Sequence, residues 1–169
     1  WYLKLSKLIK KKLMIKADVL VANKNWKKYI RAPNLYIDKK LKVFSKKTNI
    51  FKQNSCNFSI LLSGDSEVKK LNVKFRKKNK TTDILSFPFH EKKVLNSLLR
   101  KKKKKIYLGD IIINLRKIKP KVKNENFELN FDKIWIHGLV HLLGHRHKSN
   151  LDFSLMKKLE SKLLNLIKK

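Results

Sequence analysis

Apolar side chains recur along this chain at two periods, and the places where the period changes divide it into elements. The run Met14-Ile15-Lys16-Ala17-Asp18-Val19-Leu20-Val21 is apolar-rich and partly alternating, which predicts a first strand. Trp26, Tyr29 and Ile30, then Leu41 and Phe44, follow helical spacing and predict two short helices over residues 25–30 and 34–45, with Pro33 breaking the run between them. Residues 56–62 alternate and are rich in strand formers, so they predict a second strand. The turn Ser63-Gly64-Asp65-Ser66 then leads into a helix to which Val68, Leu71, Val73 and Phe75 bring apolar side chains. Strand character returns in Thr81-Thr82-Asp83-Ile84-Leu85-Ser86-Phe87-Pro88, where the proline marks an edge or an end because it cannot donate to a ladder.

Beyond that strand, residues 90–105 are lysine-rich and of low complexity, which predicts a solvated loop. Residues 106–114 form a further strand whose continuous apolar end calls for burial on both faces. Helices are expected over 115–123 and 131–143, and a closing amphipathic helix over 151–167 carries Leu155, Met156, Leu159, Leu163, Leu164 and Ile167. The order predicts an α+β fold, a small mixed sheet of about four strands covered by helices. Residues 1–13 are basic and amphipathic without a small-residue cleavage site, and are expected to be an N-terminal extension outside the fold; 14–169 then form a single domain.

Composition changes the picture in one respect. The chain has 169 residues, enough for one sizeable core, and 42% of them are apolar. Its formal net charge is +32, from 44 Lys and Arg against 12 Asp and Glu, and such a field attracts polyanions: nucleic acid, the ribosome or an anionic membrane. Only five of the 44 are Arg, a bias toward Lys that genome composition alone can produce, so charge supports a polyanionic partner without identifying it. The single cysteine, Cys56, excludes an internal disulfide framework, fits a reducing cytoplasmic setting and is expected to pack in a strand as a small apolar group. No stretch approaches the ~18 apolar residues of a membrane span, so no membrane partner is expected.

Four of the five histidines fall within residues 137–147, in His137-Gly138-Leu139-Val140-His141-Leu142-Leu143-Gly144-His145-Arg146-His147. Positions four apart share a helix face, so His137 and His141 can converge on one ion. Gly144 stands where a left-handed residue would end the helix and turn the chain back, bringing His147 to the same ion. Three neutral imidazoles leave a fourth position for water, the donor set of a catalytic zinc site with one Zn²⁺ per chain. His145 and His90 are not at ligand spacing and are read as surface residues or supports to the ligands. The spacing also matches the peptidase pattern H-E-x-x-H-x-x-G-x-x-H, but Gly138 occupies the position of the general-base glutamate.

His137, Gly138, His141, Leu142, Gly144 and His147 resemble the H-G-x-x-H-L-x-G-Y-D-H pattern of the YbeY family of bacterial rRNA-maturation endoribonucleases. The segments Leu71-Asn72-Val73-Lys74-Phe75-Arg76, Thr82 to Phe89 and Leu108-Gly109-Asp110-Ile111-Ile112-Ile113 extend the resemblance over most of residues 14–165. It implies a zincin-like arrangement with the metal on a helix and the turn after it, zinc on His137, His141 and His147, and Arg76 as a catalytic residue beside the metal. A guanidinium suits that role because it can grip two phosphate oxygens and stabilise developing charge. The implied activity is single-strand-specific cleavage of rRNA precursor, in 16S rRNA 3′ end processing and ribosome quality control, with the small ribosomal subunit as partner. One departure stands out: the pattern's Tyr-Asp is His145-Arg146 here, and a guanidinium cannot do a carboxylate's work. Two readings stay open beside the endoribonuclease: a ribosome-associated RNA-binding factor with a structural metal, and a zincin-type metalloprotease, which the missing glutamate disfavours.

Overall fold

The computed structural model describes residues 14–102 and 105–168; the expected extension at 1–13 lies outside the described residues. β1 (Ile15–Val21) is followed by a 3-10 turn at Lys24–Lys28, α1 (Pro33–Lys47), α2 (Asn49–Gln53), β2 (Ser55–Ser63) and α3 (Asp65–Arg76). β3 (Ile84–Pro88), α4 (Lys92–Arg100), β4 (Lys105–Asn114), α5 (Leu115–Ile118), α6 (Phe127–Leu142) and α7 (Asn150–Ile167) complete the order. The four strands form one mixed sheet in the order β1-β2-β4-β3, with β1, β2 and β4 parallel and β3 antiparallel to β4 at the edge. The fold is therefore α+β, as the alternation of periods requires. No helix among the described residues is long and apolar enough to cross a membrane.

The two faces of the sheet are unequal. Cys56, Phe58, Ile60 and Leu62 of β2 point into the larger core, where Leu41 and Phe44 of α1, Trp135 and Leu139 of α6 and Met156 and Leu163 of α7 meet. Each fully buried large apolar side chain there is worth roughly 2 kcal/mol. The opposite face carries a small cluster of Val68, Leu85 and Ile112 under α3. Leu71 packs partly against that cluster, whereas Val73 and Phe75, expected to face inward, are exposed, because one amphipathic helix can seat only one face on the sheet.

Several local expectations are corrected. The break expected at Pro33 is present, between the 3-10 turn at Lys24–Lys28 and α1, but Pro33 itself is the first residue of α1, where the missing N–H costs nothing. The lysine-rich segment contains α4, seated by Leu95, with Leu98 and Leu99 partly buried at i+3 and i+4. The helix expected over 115–123 is only the turn α5, with Pro120 just beyond it, and α6 starts a full turn earlier than its apolar run suggested, capped by Asn126, whose side chain accepts from the Leu129 N–H.

Two glycines position α6. At Gly138 an added Cβ would lie 2.8 Å from Ile84 Cδ1 and 2.9 Å from Ile111 Cδ1, so the absence of a side chain lets α6 lie close against β3 and β4. Gly144 has φ +90°, and the turn it makes is a Schellman motif: the Gly144 N–H donates to the His141 carbonyl at 2.9 Å and the His145 N–H to the Val140 carbonyl at 3.3 Å.

Candidate metal centre

The C-terminal half of α6 and the turn after it bring His137, His141 and His147 together, with one ring nitrogen from each within 4.8 Å of the others. His137 and His141 project from successive turns of one helix face. After the Schellman turn the chain reaches His147, just before Ser149 caps α7 by accepting from the Asp152 N–H. The rings pack around one point: His137 and His147 are nearly parallel at 5.2 Å, and His141 stands edge-on to each at 4.6 Å. His137 and His141 are half-buried and His147 is exposed, so the site opens to solvent on the His147 side.

Hydrogen bonding settles which nitrogens are offered. His137 Nδ1 lies 2.6 Å from Glu160 Oε1, and His141 Nδ1 lies 2.8 Å from the His145 carbonyl oxygen. Carboxylate and carbonyl accept only, so each Nδ1 carries a proton, and Nε2 is the nitrogen that each ring turns toward the other. Those two Nε2 atoms face each other at 3.1 Å. Two unprotonated nitrogens at that distance repel unless a cation lies between them, either a proton shared in an N–H···N hydrogen bond or a metal ion. The spacing fits a metal: two nitrogens bound to a tetrahedral zinc at 2.0–2.1 Å lie about 3.3 Å apart. Burial, and then the neighbouring His137 and His147, push the His141 imidazole down to about 4, which keeps it neutral and able to ligate near pH 7.

Glu160 was not foreseen from the sequence. It lies on α7 at 7% exposure, between Met156 and Leu163 on the buried stripe, and also accepts from Lys157 Nζ at 2.9 Å. Burial alone would raise its carboxyl, but the hydrogen bonds from His137 and Lys157 and their charge outweigh it and hold the group below the usual carboxylate range. A carboxylate on an otherwise apolar helix stripe was the available signal. His145 contributes through its main chain, the acceptor for His141, while His90 packs edge-on to Phe89 and is not one of the three converging histidines.

Arg76 ends α3, which the left-handed Lys77 caps, and is exposed. Its Nη2 donates to the Ser86 carbonyl at 3.3 Å and its guanidinium lies over the Phe87 ring at 5.9 Å, so it is tied to β3, the edge strand against which α6 packs. The hydrogen bond it makes is to β3 and not to a histidine. A cleft of about 640 Å³ runs from His137 and Glu160 past Lys117, Lys121, Lys133 and Lys157.

Residues 20–168 match the family model described as Endoribonuclease YbeY. The chain is 43% identical over 157 residues to the Endoribonuclease YbeY of Pelagibacter ubique, covering 92% of this chain and 97% of that one. It is 39% identical over 134 residues to that of Thermodesulfovibrio yellowstonii, covering 78% and 77%. A solution structure from Thermotoga maritima is similar at 22% identity over 90% of each chain, with a TM-score of 0.48. With a family-model match over residues 20–168 and relatives 39% and 43% identical over most of their length, this chain belongs to the YbeY endoribonuclease family.

Proposed function

We propose that residues 14–169 form a single domain that cleaves single-stranded RNA as a zinc-dependent endoribonuclease, acting on rRNA precursor at the 16S 3′ end and in ribosome quality control in the cytoplasm, with the small ribosomal subunit as partner. The observation that carries the metal reading is the convergence of three imidazoles, with the Nε2 atoms of His137 and His141 3.1 Å apart and each Nδ1 held by an acceptor on the far side of its ring. His137, His141 and His147 are the ligands, and a three-imidazole set favours zinc among the abundant divalent ions. When bound, the ion supplies Lewis acidity at a phosphoryl oxygen and lowers the pKa of a water.

The protein's own groups do the rest. Arg76 offers two parallel N–H donors to the scissile phosphate, and Lys117, Lys121, Lys133 and Lys157 line a cleft where the RNA backbone can lie beside His137. The nucleophile is either a water or the 2′-hydroxyl next to the phosphate. A 2′-deoxy nucleotide at the cleavage point distinguishes them, since it stops cleavage only in the second case. Gly138 speaks against the peptidase reading: a side chain there would meet Ile84 and Ile111 at under 3 Å, so a glutamate would have to displace those side chains before its carboxylate could act.

The deciding experiment is zinc content by mass spectrometry together with cleavage of single-stranded RNA by the wild type and by His141→Ala and Arg76→Ala. One zinc per chain, with cleavage lost in both variants, is expected. Zinc without cleavage would leave the ribosome-associated factor with a structural metal, and a wild type without zinc would refute the metal reading.

A further inference from the structure

We propose that Glu160 is a positioning residue of the metal centre, acting through His137: it fixes the tautomer that presents Nε2 to the ion and supplies the negative charge that the His147 turn lacks. The proposal rests on the three histidines being metal ligands, as above.

α7 buries Met156, Glu160 and Leu163 along one stripe, and Glu160 is a charged group at 7% exposure among apolar neighbours. Burying a carboxylate is expensive unless it is paired and hydrogen-bonded, and an apolar residue of similar volume at such a place is often as stable or more so. Its partner Lys157 does not account for it. That bond joins residues three apart on the same helix, and the Lys157 side chain is 56% exposed, where such pairs contribute little. The bond to His137 is the one that spans two helices, 23 residues apart in sequence, and it is short at 2.6 Å.

The two hydrogen-bonded ligands are held by different acceptors. His141 donates to the neutral carbonyl of His145, whereas His137 donates to a carboxylate. A charged acceptor makes the stronger bond and raises the basicity of the opposite ring nitrogen. Charge balance points the same way. Three neutral imidazoles leave a divalent ion's +2 uncompensated in a chain of net charge +32, and the turn carrying His147 adds Arg146 and Lys148. The family pattern has an acidic residue just before the last histidine; this chain has Arg146 there, and Glu160 brings a carboxylate to a different ligand from the neighbouring helix.

The test uses Glu160→Leu, which keeps the volume and removes the acceptor, and Glu160→Gln, which keeps an acceptor oxygen without charge. Zinc affinity is measured by competition with a chromophoric chelator, thermal unfolding is followed on the metal-free proteins, and the His137 tautomer is read from ring-nitrogen NMR of the metal-free wild type. Expected are a loss of zinc affinity of about 10- to 100-fold in Glu160→Leu, a smaller loss in Glu160→Gln, unfolding temperatures at or above the wild-type value for metal-free Glu160→Leu, and an Nδ1–H tautomer for His137. Zinc affinity of Glu160→Leu within twofold of wild type would overturn the proposal, as would an Nε2–H tautomer in the wild type. If Glu160→Leu does not fold, Glu160→Gln binding zinc as the wild type does, or the wrong tautomer, still overturns it. A wild type that binds no zinc is a separate result, and it removes the metal reading itself.

Discussion

Two polar constellations are embedded in this fold, and their hydrogen bonds add up differently. At the end of β4, the fully buried Asn114 shares its two Nδ2 protons among Asp65 Oδ1, Thr81 Oγ1 and the Thr82 carbonyl oxygen at 2.8 to 3.0 Å, while its Oδ1 accepts from the Arg116 N–H. Asp65 also accepts from Thr81 Oγ1 and Arg116 Nη1. In that network each donor meets an acceptor, and it fastens α3, β4 and the approach to β3. At the end of α6 both Nδ1 protons are placed, and the two Nε2 atoms face each other at 3.1 Å, a contact that closes only with a proton or a metal ion between them. A closed network holds structure together; an open one marks where something positive belongs.

Exchanging the damage between the two regions tests that contrast. The largest effect is expected from His141→Ala, which should lower RNA cleavage by at least about 10³-fold, the several kcal/mol a catalytic metal supplies, and abolish stoichiometric zinc. Urea unfolding of the metal-free protein should change by less than about 1 kcal/mol, because the side chain makes no contact that the metal-free core requires. Asn114→Ala should do the reverse: a loss of about 2 to 4 kcal/mol in urea unfolding, from acceptors left without their donor in a buried site, with zinc still at one per chain. Gly138→Ala should cost about 1 to 3 kcal/mol by overpacking against Ile84 and Ile111, and its zinc affinity shows whether moving the helix also moves the ligands.

The smallest effect concerns acid. Hydrogen bonds from Asn114 and Thr81, and after them the charge of Arg116, hold the Asp65 carboxyl below its usual range. A group with a depressed folded pKa stabilises the fold above its unfolded value and loses that contribution as the pH falls below it. The wild type should therefore lose stability progressively below about pH 3.8, and Asp65→Asn should flatten that part of the curve in a pH series of denaturant melts.

The convergence of the three histidines could be read in the sequence because they are local. His137 and His141 lie one turn apart on a single helix, and Gly144 provides the reversal, so spacing alone predicts convergence with His147. Glu160 reaches His137 from a separate helix, and no local period announces such a contact; its only trace is a carboxylate on an apolar stripe. The strands were legible from alternation and apolar runs, including the edge position of β3 announced by Pro88. α4 was obscured because lysines dominate its composition, and the three leucines that seat it were outweighed by charge. Pro33 reads as a breaker or as a first-turn residue depending on which side the helix lies, a choice that tertiary packing makes through Ile37, Leu41 and Phe44.

The close seat of α6 on the sheet also limits what this scaffold can become. Donor spacing of this kind serves peptide hydrolysis in other proteins, where a glutamate follows the first histidine. Here that neighbour is the contact point between helix and sheet, enclosed by Ile84 and Ile111. A glutamate there would first have to displace both isoleucine side chains, so the packing between helix and sheet opposes the one substitution that the peptidase pattern asks for.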